Sequence, residues 1–202
     1  MTSKNNAVLV SDLFAQLGGE FVVISPGSRN APLIKFFQSF DSIRCVSIVD
    51  ERSAAFFALG ISLATKKPVA LVCTSGTALL NYSPAIAEAY YLGIPLIVIS
   101  ADRPGIRIDK GEGQSIRQQN VYQNFQKGFL NIEEEHCFEK EIVEKSKNIL
   151  LNAISEKHGP VHFNLPFSEP LYDESENNSK FDNVTFDTAI IENNLKLDLV
   201  YI

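Results

Sequence analysis

The chain has 202 residues, of which 45% are hydrophobic and 21% are charged, a composition typical of a soluble globular protein with one sizeable core. A net charge of −6 argues against non-specific binding to nucleic acid or to an anionic membrane, so anionic substrates would need locally placed arginines. The longest apolar stretches, such as residues 85–100, are interrupted by charge, glycine and proline, so none is expected to span a bilayer.

Short apolar runs alternate along the chain with stretches of helical periodicity. Gly18 and Gly19 end the first helix, and proline and glycine at 26–27 break the first strand. Residues 102–126 are expected to be irregular, since they are rich in Gly and Gln. We predict helices at residues 5–17, 31–40, 51–64, from the turn at 74–77 to about 92, and 139–156, and strands at 21–24, 43–49, 69–73, 95–100, 129–132 and 161–165.

Strands with nearly continuous apolar runs, separated by helices, predict a parallel sheet that is covered on both faces. Right-handed crossovers then give a doubly wound α/β domain with helices on both faces. In such sheets, ligands bind beyond the carboxyl ends of the strands. A polar segment follows each of the first four strands, at residues 25–30, 50–52, 74–77 and 101–104. We expect these segments to gather at one edge, which is the predicted site.

The character of the chain changes after Pro166. Residues 173–183 are acidic and rich in Asn and Ser, which is typical of a linker. Residues 184–202 regain apolar side chains without completing a structural unit. We therefore predict one domain at residues 1–172, followed at 173–202 by a linker and the start of a missing central domain.

Cysteine and histidine spacing gives no metal or disulfide motif. Three cysteines form an odd, sparse set without CxxC spacing, so we expect a reducing, cytoplasmic environment and neither a disulfide framework nor a zinc site. The histidines (His136, His158 and His162) show no ligand spacing. We interpret them as structural or surface residues.

Each polar segment has a structural explanation when it is taken singly. A carboxylate such as Glu51 at a helix N-terminus complements the macrodipole and helps to cap the helix. Proline and glycine at 26–27 suit a tight turn, although a turn does not require Arg29. Asp102 and Arg103 could form a local salt bridge, and the loop at 113–119 supplies donors suited to carboxylates.

Taken together, these segments carry a specific resemblance. Over residues 8–172 the chain resembles the menaquinone-pathway synthases among thiamine diphosphate-dependent enzymes, which join isochorismate to 2-oxoglutarate. The resemblance implies a flavodoxin-like pyrimidine-binding domain. The matching segments are SPGSRNAPL (25–33), DERSAAFFALG (50–60), TSGTALLNYSPAIAEA (74–89), ISADRP (99–104), GQSIRQ (113–118) and HFNLPFSEPL (162–171).

The resemblance implies that Glu51 is the catalytic, cofactor-activating glutamate, which bonds a ring nitrogen of the aminopyrimidine. A carboxyl group in an apolar, cofactor-filled crevice is able to share a proton with that nitrogen. This favours the imino form of the cofactor, which removes its own thiazolium proton. Pro26 and Gly27 are implied as further cofactor-binding residues. Thr77 and Asn81 are expected to cap or pack a helix rather than to contact the cofactor.

Ser28, Arg29, Arg103 and Gln114 resemble positions that bind isochorismate and the reaction intermediate. Both substrates are dicarboxylates, which paired arginines suit. Arg117 is a further match, and anchoring of its own loop is the alternative role for it.

The resemblance also implies what lies outside the chain. The motif that binds Mg²⁺ and the diphosphate belongs to a separate C-terminal domain in the family, so no Mg²⁺ ligand is expected in these 202 residues. The complete enzyme is expected to be a transferase that assembles as a homodimer or homotetramer, whereas the fragment alone is expected to be inactive. Two alternatives stay open: the pyrimidine domain of another decarboxylase or carboligase such as acetolactate synthase, and a non-catalytic, stand-alone binding module.

Overall fold

A computed structural model of the chain describes residues 4–172, 185–186 and 191. Within these residues, strands alternate with helices as the sequence predicts. The helices are α1 (Asn5–Gln16), α2 (Ala31–Gln38), α3 (Glu51–Thr65), α4 (Ser83–Leu92) and α5 (Lys140–Ala153), with short 3₁₀ helices at Gly76–Tyr82 and Gly105–Arg107. The strands are β1 (Phe21–Ile24), β2 (Arg44–Ser47), β3 (Val69–Cys73), β4 (Leu96–Asp102), β5 (Phe129–Asn131) and β6 (Val161–Pro166).

The strands of the described residues form one parallel sheet in the order β2-β1-β3-β4-β6-β5. From β1 the chain first adds β2 on one side and then β3 on the other, so the direction of winding reverses between β1 and β3. Loops that leave the carboxyl ends of two such strands diverge and open a crevice. The predicted doubly wound α/β fold is confirmed.

Two clusters of buried side chains cover the two faces of the sheet. On one face, α1, α2 and α5 contribute residues such as Leu13, Phe37 and Leu150. On the other face, α3 and α4 contribute residues such as Ala58 and Ile86. Burial of each large apolar side chain stabilises the fold by about 1.5–3 kcal/mol. The helices therefore hold a rigid sheet beneath the loops of the predicted site.

The helix predicted to run from the turn at 74–77 to residue 92 is divided in the structure. A 3₁₀ helix covers Gly76–Tyr82, and α4 begins at Ser83 with Pro84 in its first turn. Proline suits the first turn of an α-helix but not its interior, because its nitrogen carries no hydrogen and its ring collides with the preceding turn. Pro84 therefore sets the start of α4.

Strand β4 extends two residues beyond the prediction. Ala101 pairs with Leu165, and Asp102 pairs with Pro166 at the end of β6. This pairing places Asp102, which is only 4% exposed, inside the sheet edge and not in the irregular stretch that follows.

The predicted linker and partial domain at 173–202 lies outside the described residues, apart from positions 185, 186 and 191. Of these, Ile191 is buried, and Phe186 packs against the core cluster that contains α1, α2 and α5. None of the helices among the described residues has the length and apolar character that a membrane span requires. The three cysteines, all of them within residues 4–172, are free.

Candidate functional site

The polar segments that follow β1 to β4 meet at one edge of the sheet, as predicted. A Cβ atom on Gly27 would lie 2.6 Å from Cβ of Thr74, so the loops after β1 and β3 are in close contact. The hydroxyl of Ser75 donates a 2.9 Å hydrogen bond to the main-chain oxygen of Gln114. The residues matched to the family are therefore brought to the carboxyl edge.

Glu51 is the first residue of α3, at the carboxyl end of β2. The capping role belongs to its neighbour Asp50, whose side chain accepts a 2.7 Å hydrogen bond from the main-chain N–H of Ser53. That hydrogen bond lowers the pKa of Asp50. Because Asp50 caps the helix, capping does not account for Glu51, whose side chain is only partly buried.

Asn81 is a neighbour of Glu51 that the sequence did not predict. Its amide nitrogen lies 3.4 Å from Oε2 of Glu51 and 3.5 Å from the main-chain oxygen of Thr77. Asn81 and Thr77 are both exposed in the 3₁₀ helix Gly76–Tyr82. The expectation that Asn81 only caps or packs a helix is therefore incomplete, since its side chain reaches the predicted catalytic carboxylate.

Asn30 shapes the turn that contains Pro26 and Gly27. It is fully buried, its side-chain oxygen accepts from the Gly27 N–H at 2.9 Å, and its side-chain nitrogen donates to the Ser25 oxygen at 2.9 Å. An Asn near Pro and Gly is a turn signal, so this role of Asn30 can be recognised in the sequence. The turn leaves Pro26 and Ser28 exposed.

A cavity of about 640 Å³ opens beside this turn. The predicted residues Pro26, Gly27 and Ser28 form part of its wall, whereas Arg29 and Arg103 do not line it. The remaining wall comes from α2 and from the chain after β6: Ala31, Pro32, Ile34, Lys35, Gln38, Leu171 and Tyr172.

Arg29 is buried and bonded to the end of the domain. Its Nη1 donates to the main-chain oxygen of Phe167 at 2.9 Å, and its Nη2 lies 3.1 Å from Oε1 of Glu169. The guanidinium is only 7% exposed, and the Glu169 side chain is 58% exposed. The buried hydrogen bond to the Phe167 oxygen therefore orients Arg29, while its ionic partner, Glu169, is exposed to water.

Arg103 is held by the loop that follows it. Its Nε and Nη2 donate to the main-chain oxygen of Gly113 at 3.1 and 2.9 Å, and its Nη1 lies 3.2 Å from Oε2 of Glu112. The interpretation of Asp102 and Arg103 as a local salt bridge is wrong, because Asp102 accepts from the main-chain N–H of Arg103 and Glu112 is the ionic partner.

Arg107 connects the two predicted substrate arginines. Its Nη1 lies 3.7 Å from Glu112 and 3.8 Å from Glu169, the carboxylates that pair with Arg103 and Arg29 respectively. Three guanidinium groups and two carboxylates thus form one row with a local excess of positive charge. No local sequence pattern shows that Arg107, Glu112 and Glu169 meet, so this row could not be predicted.

Gln114 and Arg117 take different positions in the loop after β4. Gln114 is exposed and has a φ of +54°, and its main-chain oxygen packs against the β3 loop. Arg117 is 82% exposed and donates to Asp109 at 2.8 Å. This contact is the loop anchoring that the sequence left open as the alternative role of Arg117.

A buried polar network lies beneath this loop. The side-chain nitrogen of Gln118 donates to the Ala101 oxygen at 3.0 Å and to Oδ1 of Asn164 at 2.8 Å, and its oxygen accepts from the Gly76 N–H at 2.7 Å. Asn164 also donates to Asp102 at 2.8 Å. Each of these polar groups is paired, as buried polar groups require.

Burial sets the charge state of two groups in the network. Burial raises the pKa of Asp102 to about 6, against the opposing effect of hydrogen bonds from Asn164 and from the Arg103 N–H. Burial lowers the pKa of His162 to about 3, so its imidazole is neutral at pH 7. His162 Nε2 lies 2.8 Å from the Ser100 hydroxyl and has no path to solvent, which agrees with a structural role.

The arrangement offers the partly exposed carboxylate of Glu51 and a row of three arginines paired with two further carboxylates. Such a set can hold a proton at a ring nitrogen and bind carboxylates. Within residues 4–172, 185–186 and 191, no group of three or more His, Cys, Asp or Glu side chains is placed to hold a metal ion.

Comparison with known proteins shows which family the chain belongs to. The model described as "Thiamine pyrophosphate enzyme, N-terminal TPP binding domain" matches residues 4–125. Curated relatives named 2-succinyl-5-enolpyruvyl-6-hydroxy-3-cyclohexene-1-carboxylate synthase include one from Christiangramia forsetii, 56% identical in an alignment of 171 residues that covers 77% of this chain and 30% of the relative. Another, from Flavobacterium johnsoniae, is 52% identical in an alignment of 177 residues that covers 85% of this chain and 31% of the relative.

A third synthase of that name, from Desulfotalea psychrophila, is 52% identical in an alignment of 159 residues that covers 77% of this chain and 29% of the relative. The chain thus spans about 30% of the length of the curated relatives that it matches. The family match includes Glu51, Arg29, Arg103 and Gln114, and the parallel α/β fold agrees with it. The chain belongs to the family of N-terminal TPP-binding domains of thiamine pyrophosphate enzymes.

Proposed function

We propose that this chain is the pyrimidine-binding part of a thiamine diphosphate-dependent transferase of menaquinone biosynthesis. The complete enzyme decarboxylates 2-oxoglutarate and adds the resulting four-carbon unit to isochorismate. The observation that carries the proposal is the identity of 42–56% with proteins that bear this synthase name. The partly exposed carboxylate of Glu51 and the row of arginines supply the chemistry that this reaction requires.

The residues at the edge fit the pyrimidine end of the cofactor. Glu51 has a partly exposed carboxylate with one side-chain neighbour, Asn81, at 3.4 Å, which leaves acceptor positions for a ring nitrogen. Pro26 and Gly27 bring main chain to the same edge. When bound, thiamine diphosphate supplies a ring that stabilises a carbanion. The role of Glu51 is to hold and return a proton at the ring nitrogen.

The arginines are oriented by main-chain oxygens and are paired with exposed carboxylates. Arg29 is fixed by the Phe167 oxygen, and Arg103 by the Gly113 oxygen. Their ionic partners, Glu169 and Glu112, are 58% and 35% exposed. Because both carboxylates are at least partly in contact with water, a substrate carboxylate is able to replace either partner while the carbonyl bonds keep the guanidinium in place.

The diphosphate and Mg²⁺ are proposed to bind to residues outside this chain. The fit to the cofactor is therefore one half of a site, and the other half must come from a second domain. Phe56 and Phe57 of α3 and Leu80 of the neighbouring 3₁₀ helix are 44%, 49% and 42% exposed. An exposed apolar group of this kind often marks an interface, and we propose that it is buried in a homodimer or homotetramer of the complete enzyme.

A substrate-pair assay of the full-length protein tests the proposal. With thiamine diphosphate and Mg²⁺, we expect a product from 2-oxoglutarate plus isochorismate and none from pyruvate. Turnover of pyruvate alone would instead identify another decarboxylase or carboligase. Absence of turnover with either substrate set, in a folded protein that binds the cofactor, would contradict catalysis and leave a binding module.

A further inference from the structure

Gln118 joins two loops at the carboxyl edge to the strands below them. Its side chain is 1% exposed. Its oxygen accepts from the main-chain N–H of Gly76 at 2.7 Å, and its nitrogen donates to Ala101 of β4 and Asn164 of β6. One side chain thus connects the loop after β4 with the 3₁₀ helix after β3.

The same contact region sets the position of Gln114. Gly76 has a φ of +89°, and a Cβ atom placed on it would lie 2.8 Å from Cα of Gln114. Ser75 donates to the Gln114 oxygen at 2.9 Å. The main chain of Gln114 is therefore packed directly onto the residues that Gln118 holds.

The 3₁₀ helix Gly76–Tyr82 extends this connection to the predicted catalytic residue. Its first residue, Gly76, is bonded by Gln118, and Asn81 near its other end lies 3.4 Å from Glu51. The far end of the helix is held separately, because the hydroxyl of Tyr82 donates to the Val72 oxygen at 3.1 Å. Displacement of Gly76 would therefore shift Gln114 relative to Asn81 and Glu51.

We propose that Gln118 is a positioning residue, which fixes Gln114 relative to Glu51 by tying the Gly76 turn to β4 and β6. This inference rests on the proposed function, in which Gln114 contacts isochorismate and Glu51 contacts the cofactor. Gln118 itself is buried and touches neither. Its amide is suited to the task because it offers one acceptor and two donors in a fixed geometry, and here both ends of the amide are used.

Hydrogen exchange on this chain tests the positioning step without reference to catalysis. Gln118→Met keeps the length and volume of the side chain but removes its hydrogen bonds. We expect amide exchange in segments 74–82 and 111–117 to rise by about tenfold, while exchange in β3 and β4 stays unchanged. The control is Gln123→Met, the same substitution at an exposed position further along the same loop, for which we expect wild-type exchange.

Kinetics of the full-length protein test the consequence. For Gln118→Met we expect the KM for isochorismate to rise about tenfold and the KM for 2-oxoglutarate to stay within about twofold. If the methionine variant does not fold, Gln118→Asn provides the same test, since its amide is one methylene too short to span the three partners.

The outcomes separate the two claims. Unchanged exchange in segments 74–82 and 111–117, or an equal rise of both KM values, would overturn the positioning role. If the wild-type protein has no synthase activity, the proposed function fails, and the exchange experiment still decides whether Gln118 holds the two loops.

Discussion

The guanidinium of Arg29 donates a hydrogen bond of 2.9 Å to the main-chain oxygen of Phe167, 138 residues further along the chain. The contact ties the loop after β1 to the end of β6. It also aligns the arginine fork, since one nitrogen is committed to the carbonyl and another faces the exposed Glu169. Arg29 therefore has both a structural partner and a partner that a ligand could replace.

Arg29→Lys and Arg103→Lys keep the positive charge but lose the two-pronged fork. For both variants of the full-length enzyme, we expect a raised KM for isochorismate with little change in cofactor affinity. Arg29→Lys should also lower the free energy of unfolding by about 1–3 kcal/mol, because a single ammonium cannot take the place of the fork that reaches both the buried Phe167 oxygen and Glu169. Arg44→Lys, at an exposed position on β2, is the matched control. A flat KM together with a lower melting temperature would show that the two arginines are only structural.

Gly76→Ala tests the packing of the β3 loop against Gln114. The left-handed φ of +89° and a contact of 2.8 Å with main-chain atoms both oppose a methyl group, so we expect destabilisation by more than about 1 kcal/mol. Gly60→Ala is the control, since Gly60 lies within α3 and a Cβ there meets no atom within 4 Å. That change should stabilise the chain by about 0.5–1 kcal/mol. Denaturant unfolding measures the free energy of unfolding of both variants. Equal changes in the two would contradict the close packing of Gly76 against Gln114.

The pH dependence of stability depends in part on His162. Its folded-state pKa of about 3 is below the ordinary 6.5, so the unfolded chain takes up a proton first, and stability is lost as the pH falls from 6.5 towards 3. Between pH 7 and pH 5 this loss is about 2 kcal/mol. Asp102 acts with the opposite sign, because a pKa raised from 3.8 to about 6 favours the folded state as the pH falls through that interval.

His162→Gln separates the two effects, since it removes the imidazole and leaves Asp102. We expect the variant to be less stable than wild type at pH 7. Between pH 7 and pH 5, the change in its free energy of unfolding should differ by about 2 kcal/mol from the change in the wild type. Urea unfolding at the two pH values measures this difference. Parallel pH profiles for the two proteins would show that His162 is not held neutral in the fold.

The chain by itself is expected to fold but to bind thiamine diphosphate too weakly to detect at micromolar concentration. It supplies Glu51 and a few apolar contacts, and its described residues offer no metal-binding group, which is too little to offset the entropy of association. Titration calorimetry with the cofactor and Mg²⁺ checks this. Light scattering should show a dimer that Phe57→Ser weakens. Stoichiometric cofactor binding would contradict the prediction of weak binding. A monomer would contradict the predicted dimer.

The sequence predicts the sheet well, because β3 and β4 are continuous apolar runs and proline or glycine stands at their ends. It also predicts the meeting of the four loops, which follows from parallel topology. The contacts of Gln118 and of Arg107 could not be predicted, since their partners lie 5 to 62 residues away in the chain and are chosen by the packing of irregular loops. Pro84, by contrast, is a local signal for the start of α4, because proline suits the first turn of a helix.

The most direct test of the central claim is turnover of Glu51→Gln in the full-length enzyme, measured with 2-oxoglutarate and isochorismate. Glutamine keeps the size of the side chain but cannot accept and return a proton, so we expect turnover to fall by about 10²–10⁴-fold with the fold intact. Asp50→Asn is the matched control, because asparagine caps a helix as well as aspartate does and turnover should stay near wild type. Near-normal turnover of Glu51→Gln would contradict the assignment of Glu51 as the residue that activates the cofactor.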